Sequence, residues 1–277
     1  MSEADLPLIG VIEGFYGRPW KAHQRHDLFA LMNNWHLTAY MYAPKDDKKH
    51  RAGWREPYDQ DELAELQDLI DEAQRHDVEL IYAISPGLDM TYCSADENAL
   101  LRAKLDSVAA LGCNSFAILF DDIDGLMNQA DIDTFDSLCH AHCTVANELR
   151  AHLAPKRMLF CPTEYCASRA NPSVSESEYL RTIGLRLDAG IEVFWTGDSV
   201  IPREIDVPSL QELRAVIKRK PCIWDNIHAN DFDKRRVFLG PYHGRSWQIL
   251  EHVSGVLSNP NCEYHANFIP LQTLGEW

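Results

Sequence analysis

The 277-residue chain carries 26 Lys and Arg against 42 Asp and Glu, a formal charge of −16, which offers no basic surface to a phosphate backbone or an anionic membrane. With 45% hydrophobic residues it can bury a large core, and its length is near the roughly 250 residues typical of a (β/α)8 barrel. No apolar run reaches membrane-spanning length, the acidic start Met1-Ser2-Glu3-Ala4-Asp5 lacks the parts of a secretory signal, and eight scattered cysteines read as reduced thiols of a cytoplasmic protein.

Short apolar runs alternate with amphipathic stretches, with no linker or low-complexity segment between them. Leu8 to Ile12 predicts a first strand, leading into Glu13-Gly14-Phe15-Tyr16-Gly17-Arg18-Pro19-Trp20. That turn is too bulky to admit a pyrophosphate, which weighs against the doubly wound open sheet as an alternative. Thr38 to Tyr42 predicts a second strand, followed by Pro44-Lys45-Asp46-Asp47 and a helix over Asp59 to His76. The third strand, Glu79 to Ile84, runs into Ser85-Pro86-Gly87-Leu88-Asp89 and a helix over Asn98 to Ala110. Ser115 to Phe120 is the fourth strand, ending at Asp121-Asp122, with a helix over Asp131 to Leu153. Met158 to Cys161 leads to Pro162-Thr163-Glu164-Tyr165, and Ile191 to Trp195 to Thr196-Gly197-Asp198. A helix over Ser209 to Lys218 opens on a capping box, Ser209-Leu210-Gln211-Glu212. Cys222 to Trp224 precedes Asp225-Asn226-Ile227-His228-Ala229-Asn230-Asp231, and Gly255 to Leu257 precedes Asn259. Eight strands alternating with helices imply parallel pairing and right-handed crossovers, and closure removes both sheet edges. The expected fold is an α/β (β/α)8 TIM barrel, a single domain over residues 1–277.

In such a barrel, chemistry gathers at the carboxyl ends of the strands. The fourth strand drives Phe116-Ala117-Ile118-Leu119-Phe120 into two adjacent carboxylates, and side-by-side acids cannot both ionise freely, so one is expected to hold its proton near neutral pH. A protonated carboxyl can act as general acid while its ionised neighbour orients or deprotonates, the division of labour of glycoside hydrolysis. Solvated acids at an ordinary strand end are the plain alternative. Acids, amides and aromatics at nearly every strand end suit a sugar, whose faces stack on Trp and Tyr and whose hydroxyls need donors and acceptors. The basic runs Lys45 to Arg51 and Lys218-Arg219-Lys220 read as solvated helix ends or loops. Asp122-Ile123-Asp124-Gly125 misses the ligand spacing of a calcium loop. Cys139-His140-Ala141-His142-Cys143 reads as helix packing, because on a helix Cys139 and Cys143 share one face while the two histidines, two apart, do not. No metal or cofactor is expected. Cys161 and Cys166 flank Tyr165 as small pocket or core groups, and His228 either shapes its loop or supports its neighbours.

Five segments carry a family resemblance across nearly the whole chain: Gly10 to Trp20, Tyr42-Ala43-Pro44-Lys45-Asp46-Asp47, Leu119-Phe120-Asp121-Asp122-Ile123-Asp124, Cys161-Pro162-Thr163-Glu164-Tyr165-Cys166 and Trp224 to Asp231. Together they resemble the catalytic domain of glycoside hydrolase family 84, the protein O-GlcNAcase family. The resemblance implies a retaining β-N-acetylglucosaminidase in which the sugar's own 2-acetamido oxygen attacks the anomeric carbon, giving an oxazoline that water opens. It casts Asp121 as the group that orients the acetamido N–H and accepts its proton. Asp122 becomes the acid that protonates the leaving oxygen, with a raised pKa, and then activates water. Tyr165 is matched to the tyrosine bonding the acetamido oxygen and Asn226 to the asparagine supporting Asp121. Trp224 walls the acetamido pocket, Cys161 and Thr196 line its methyl end, and the Gly14 carbonyl, Lys45, Asp231 and Asn259 meet sugar hydroxyls. The expected substrates are β-N-acetylglucosaminides, with O-GlcNAc on Ser or Thr of proteins a further expectation. Vertebrate relatives add a helical stalk and an acetyltransferase-like domain, neither expected in residues 1–277. A chitinase- or hyaluronidase-like hydrolase on the same fold, or a non-catalytic sugar-binding barrel, are the alternatives; a chitinase motif would end its strand-four acids with a Glu, absent here.

Overall fold

Eight parallel strands pair in chain order and close on themselves: β1 (Leu8–Glu13), β2 (Ala39–Tyr42), β3 (Glu79–Ile84), β4 (Ser115–Leu119), β5 (Arg157–Cys161), β6 (Ile191–Trp195), β7 (Pro221–Asp225) and β8 (Gly255–Ser258). Closure is made by β1 on β8, in register from Leu8 opposite Gly255 to Val11 opposite Ser258. This computed structural model describes residues 7–233 and 235–277, so Met1–Asp5, where no signal is expected, lies outside the described residues. The barrel expected from the alternation is the observed fold.

The strands are mostly apolar because both faces are covered, with Glu192 inside β6 an exception. In β4, Ala117 and Leu119 join Ile12, Met41, Ile81, Leu159, Phe194 and Leu257 in a cluster that fills the barrel. Phe116, Ile118 and the following Phe120 face the opposite way, packing with helical residues such as Leu105, Val108 and Leu149. Residues of β4 thus alternate between inside and outside, and the next inward position after Leu119 is Asp121.

The outer layer holds α1 (Ala22–Asn34), α2 (Gln60–Arg75), α3 (Ala95–Ala109), α4 (Gln129–Thr134), α5 (Leu138–Leu153), α6 (Glu178–Arg186), α7 (Val207–Ile217) and α8 (Phe268–Glu276). Helix starts differ from expectation at several points: α3 begins at Ala95, capped by Ser94, rather than at Asn98, and two further differences have identifiable reasons. The single helix expected over Asp131 to Leu153 is split into α4 and α5. Buried Asp131 accepts from the backbone N–H groups of Tyr92 and Cys93 at 3.1 and 2.7 Å, and Ser137 caps a new start by accepting from the His140 N–H. The capping box at Ser209 is not used either. Asp206 caps α7, accepting from the Ser209 N–H at 2.9 Å with proline in the first turn. Between β7 and β8 the helical layer is represented by a 3₁₀ turn, Trp247–Glu251. Among the described residues no helix is long and apolar enough to cross a membrane.

On α5, Cys139, Cys143 and His142 are all buried, as expected for packing. The His142 ring stacks on Phe120 at 3.9 Å between centroids and lies between the hydroxyls of Tyr179 and Tyr92 at 2.8 and 3.0 Å. Burial pushes its pKa down to about 3, so it is a neutral brace behind the end of β4.

The long β7–β8 connection is tied to the barrel by charge. Asp225, the last residue of β7, accepts from Arg245 Nε and Nη2 at 2.7 and 2.8 Å and from the Tyr242 hydroxyl at 2.8 Å, with both charged side chains wholly buried. Removing one partner strands a buried charge. Arg245→Met should therefore lose about 3–5 kcal/mol of stability, read as a lower urea midpoint at unchanged slope; a midpoint equal to the parent's would contradict this role.

Candidate active site

The eleven residues singled out from the sequence line one pocket of about 390 Å³, within the range of small-molecule sites. Asp121 and Asp122 come from the end of β4, Gly14 from β1, Lys45 from β2, Cys161 and Tyr165 from β5, Thr196 from β6, Trp224, Asn226 and Asp231 from β7, and Asn259 from β8.

Asp121 continues the inward alternation of Ala117 and Leu119 and is buried. Lys45 Nζ donates to its Oδ2 at 2.5 Å, in a pair whose side chains are 2% and 9% exposed. Burial opposes ionisation of Asp121, but Lys45, then Arg51 and the residue's own backbone N–H, outweigh it and hold the carboxyl below its usual range. The other oxygen, Oδ1, is buried and has no hydrogen-bond partner among the described residues. An ionised carboxylate with one oxygen clamped and the other uncommitted is an acceptor waiting for an N–H.

Regular alternation would send Asp122 to the outside of the barrel. Instead β4 ends at Leu119 and Asp122 adopts a left-handed backbone with φ 50°, which costs a non-glycine residue about 1–2 kcal/mol. Its carbonyl accepts from Arg51 Nη2 at 2.9 Å. Its carboxylate accepts from Tyr165 at 2.9 Å and Arg169 Nη2 at 3.1 Å on Oδ1, and from Tyr16 at 3.1 Å on Oδ2. Arg51 Nη1 in turn donates to the Tyr16 hydroxyl at 2.6 Å. The break in the strand thus lets two consecutive acids face one pocket.

Tyr16, Arg51 and Arg169 are the functional neighbours that sequence reasoning missed. Arg51 belongs to the basic run expected to be solvated, and that expectation is corrected here: Lys45, His50 and Arg51 are 7%, 0% and 7% exposed. Burial, then the Lys45 charge, pushes His50 down to about 4. Lys48 stays exposed, while Lys45 and Arg51 turn inward to donate to Asp121 and to the Asp122 carbonyl. Tyr16 sits inside the quoted first-strand motif, whereas Arg169 carried no sequence signal.

The pocket wall is braced by hydrogen bonds. Trp224 Nε1 and Asn259 Nδ2 both donate to Asn226 Oδ1 at 3.0 Å, and Asn226 Nδ2 donates to the Val200 carbonyl at 2.8 Å. Asn226, expected beside Asp121, thus spends its hydrogen bonds on Trp224, Asn259 and the β6 loop. Asn259 Oδ1 is buried and uncommitted among the described residues. Asp231 Oδ2 accepts from the Tyr16 N–H at 2.9 Å, tying the β7 loop to the β1 loop. Thr196 donates to the Ser199 carbonyl at 2.7 Å. Burial, then the Asp121 charge, pushes the Cys161 thiol well up, so it is a small neutral wall group. The Tyr165 phenol is raised by burial and by Asp122, and stays a donor.

Other strand-end polar groups do not reach the pocket. Glu13 faces the helices, accepting from Arg25 Nε and Nη2 at 2.8 Å and from the Trp20 N–H at 2.8 Å. Asp225 belongs to Arg245. His228 shapes its loop, its Nε2 lying 3.1 Å from the Gly240 carbonyl. Among the described residues no three His, Cys, Asp or Glu side chains are grouped as metal ligands.

A family model described as beta-N-acetylglucosaminidase matches residues 9–277. The chain belongs to the β-N-acetylglucosaminidase family. It is 53% identical over 271 residues to protein O-GlcNAcase of Rattus norvegicus and 52% identical to that of Mus musculus, covering 98% of this chain and 30% of each relative. A solved structure, an aspartate-to-asparagine mutant of the O-GlcNAc hydrolase of Thermobaculum terrenum, superposes with a TM-score of 0.91 at 35% identity, covering 96% of this chain and 58% of that one. This chain therefore spans under a third of the rodent proteins' length. The family match covers every strand end that builds the pocket from Gly14 to Asn259.

Gly14 has a packing reason to be glycine: a Cβ there would lie 2.5 Å from the Trp224 indole. Gly14→Ala should displace that ring, and a crystal structure of the variant with Trp224 unmoved would contradict the argument.

Proposed function

We propose that this chain is a retaining β-N-acetylglucosaminidase that removes terminal β-linked GlcNAc, including O-GlcNAc on Ser and Thr of proteins, by substrate-assisted catalysis. The observation that carries the reading is the buried Asp121 carboxylate, clamped by Lys45 on one oxygen and uncommitted on the other. A carboxylate held this way is poorly placed to become a covalent nucleophile, since attack would pull its charge away from Lys45. It is well placed to accept an acetamido N–H.

In the proposed reaction, Asp121 Oδ1 draws the acetamido N–H toward itself, and the acetamido oxygen attacks the anomeric carbon as the glycosidic bond breaks. Asp122 gives its proton to the departing oxygen. Asp121 takes the nitrogen's proton as the oxazoline closes. The ionised Asp122 then removes a proton from water, whose oxygen adds to the anomeric carbon from the side the leaving group vacated. Asp121 returns the proton to nitrogen and the ring opens, so configuration is retained. Tyr165, which donates to Asp122, turns to the acetamido oxygen. Trp224, Cys161 and Thr196 enclose the acetamido methyl, and the Gly14 carbonyl, Lys45, Asp231 and Asn259 meet hydroxyls. Asn226 supports Asp121 through the wall it braces.

Cys93, Cys113, Cys139, Cys143, Cys161, Cys166 and Cys222 are thiols outside any disulfide, which supports a reducing, cytoplasmic setting.

Asp122→Ala should lower turnover of an alkyl or seryl glycoside by about 10²–10⁴-fold, while a dinitrophenyl glycoside, which leaves without a proton, loses far less in its first step. Equal losses on both would mean the acids are misassigned. For Asp121 the reactive form is the carboxylate, so kcat/KM should fall as pH drops through its depressed pKa. In Lys45→Met, burial remains and the counter-charge does not, so the acid limb of that profile should move to higher pH. An unmoved limb would show that Lys45 does not set the charge of Asp121.

A further inference from the structure

We propose that Arg169 reads the leaving-group side of the substrate, favouring peptides that carry a carboxylate beside the sugar-bearing Ser or Thr. This rests on the reading of the pocket as a GlcNAc hydrolase site and goes beyond it by assigning a charge preference to the aglycone. Arg169 stands in the loop after β5, its backbone N–H bonded to the Cys166 carbonyl at 3.0 Å. The loop is pinned further by Ala167 and Ser168, whose N–H groups donate to the Gly197 and Asp198 carbonyls at 2.9 Å. The base of the side chain is therefore fixed. The guanidinium lies 4.6 Å from the centroid of the Tyr165 ring and donates through Nη2 to Asp122 Oδ1 at 3.1 Å.

Among the described residues two cations line the pocket, and they differ in what they can do. Lys45 is 2% exposed and committed to Asp121. Arg169 is 40% exposed and makes a single ion pair, with Asp122, and among the described residues its Nε and Nη1 donate to nothing. It touches the one acid that must meet the leaving oxygen, so it borders the space where the aglycone sits.

Chemistry then leaves its charge uncompensated. To act as general acid, Asp122 enters the reaction carrying a proton, and in that state it no longer neutralises Arg169. An incoming carboxylate can take the planar fork that Asp122 gives up. Once Asp122 has delivered its proton it is an anion again, reclaims Arg169, and displaces the product's carboxylate. Exposed Phe232, Val200 and Ile201 on the same pocket supply an apolar bed for the peptide chain. With a net charge of −16, the rest of the surface repels acidic peptides at long range, so this preference is local and belongs to one side chain.

The test compares O-GlcNAc peptides that differ only in the residue following the glycosylated Ser: Glu, Gln or Lys. For the unmodified chain, kcat/KM should be roughly fivefold higher for the Glu than the Gln peptide, as for a partly exposed ion pair, and lower still for Lys. In R169Q the Glu-to-Gln ratio should fall to about one, R169K should keep part of it, and R169E should invert it. The ratio cancels any common effect on Asp122. A ratio that stays the same in R169Q while both rates drop together would overturn the proposal, assigning Arg169 to Asp122 alone. A parent ratio of one, or a ratio indifferent to added salt, would overturn it without any variant. Hydrolysis of 4-nitrophenyl N-acetylglucosaminide separates the two levels: intact hydrolysis with no charge preference removes only this inference, and absent hydrolysis removes the activity beneath it as well.

Discussion

Lys45 and Asp121 meet inside the barrel, and the arrangement of the site follows from keeping that pair charged. Withdrawing two ions from water costs several kcal/mol each even after relaxation, so the pair is worth keeping only for what it makes possible. It fixes an anion at the end of β4 with one oxygen clamped and one open. Further donors reinforce it, because Arg51 adds its charge and the backbone N–H of Asp121 its dipole. A barrel is well suited to holding such an anion, since inward alternation aims the carboxylate at the strand-end pocket while the apolar filling below it excludes water.

The second acid needed a different solution. Two consecutive residues in a strand cannot face the same side, and the chain escapes by turning left-handed at Asp122. Arg51 holds the carbonyl, and Tyr16, Tyr165 and Arg169 hold the carboxylate. Local strain is thereby offset by hydrogen bonds from three other loops. The outcome is a separation of environments for neighbouring acids: Asp121 is sealed against Lys45, and the Asp122 side chain is 31% exposed at the mouth among donors from other loops. In the proposed reaction the sealed acid handles the acetamido proton, and the open one exchanges protons with the leaving group and with water.

Much of this was legible in the residues. Apolar runs such as Phe116 to Phe120 announce strands covered on both faces, and eight largely apolar strands between amphipathic segments leave little but a closed barrel. Paired acids at a strand end mark the chemistry. Less visible were features set by contacts distant in the chain. Arg51 looks like part of a solvated basic run until Asp122 and Tyr16 are brought against it. Arg169 has no pattern of its own. The acids Glu13 and Asp225 also stand at strand ends, and Arg25 and Arg245 claim them for structure. Helix starts at Asp206 and Ser137 were hidden because several capping residues lie near each boundary and packing selects among them. Lys45, which the resemblance casts as a sugar contact, also has a buried partner in Asp121 that the sequence did not reveal.

The central claim is that Asp121 waits as an anion for the substrate's acetamido N–H. The direct measurement is a crystal structure of the chain with a thiazoline analogue of the oxazoline. The account predicts the analogue's ring nitrogen about 2.7–3.2 Å from Asp121 Oδ1, with Lys45 still on Oδ2 and the Asp122 carboxyl beside the anomeric carbon. A nitrogen turned away from Asp121, or a Lys45 that has left the carboxylate for the sugar alone, would contradict it.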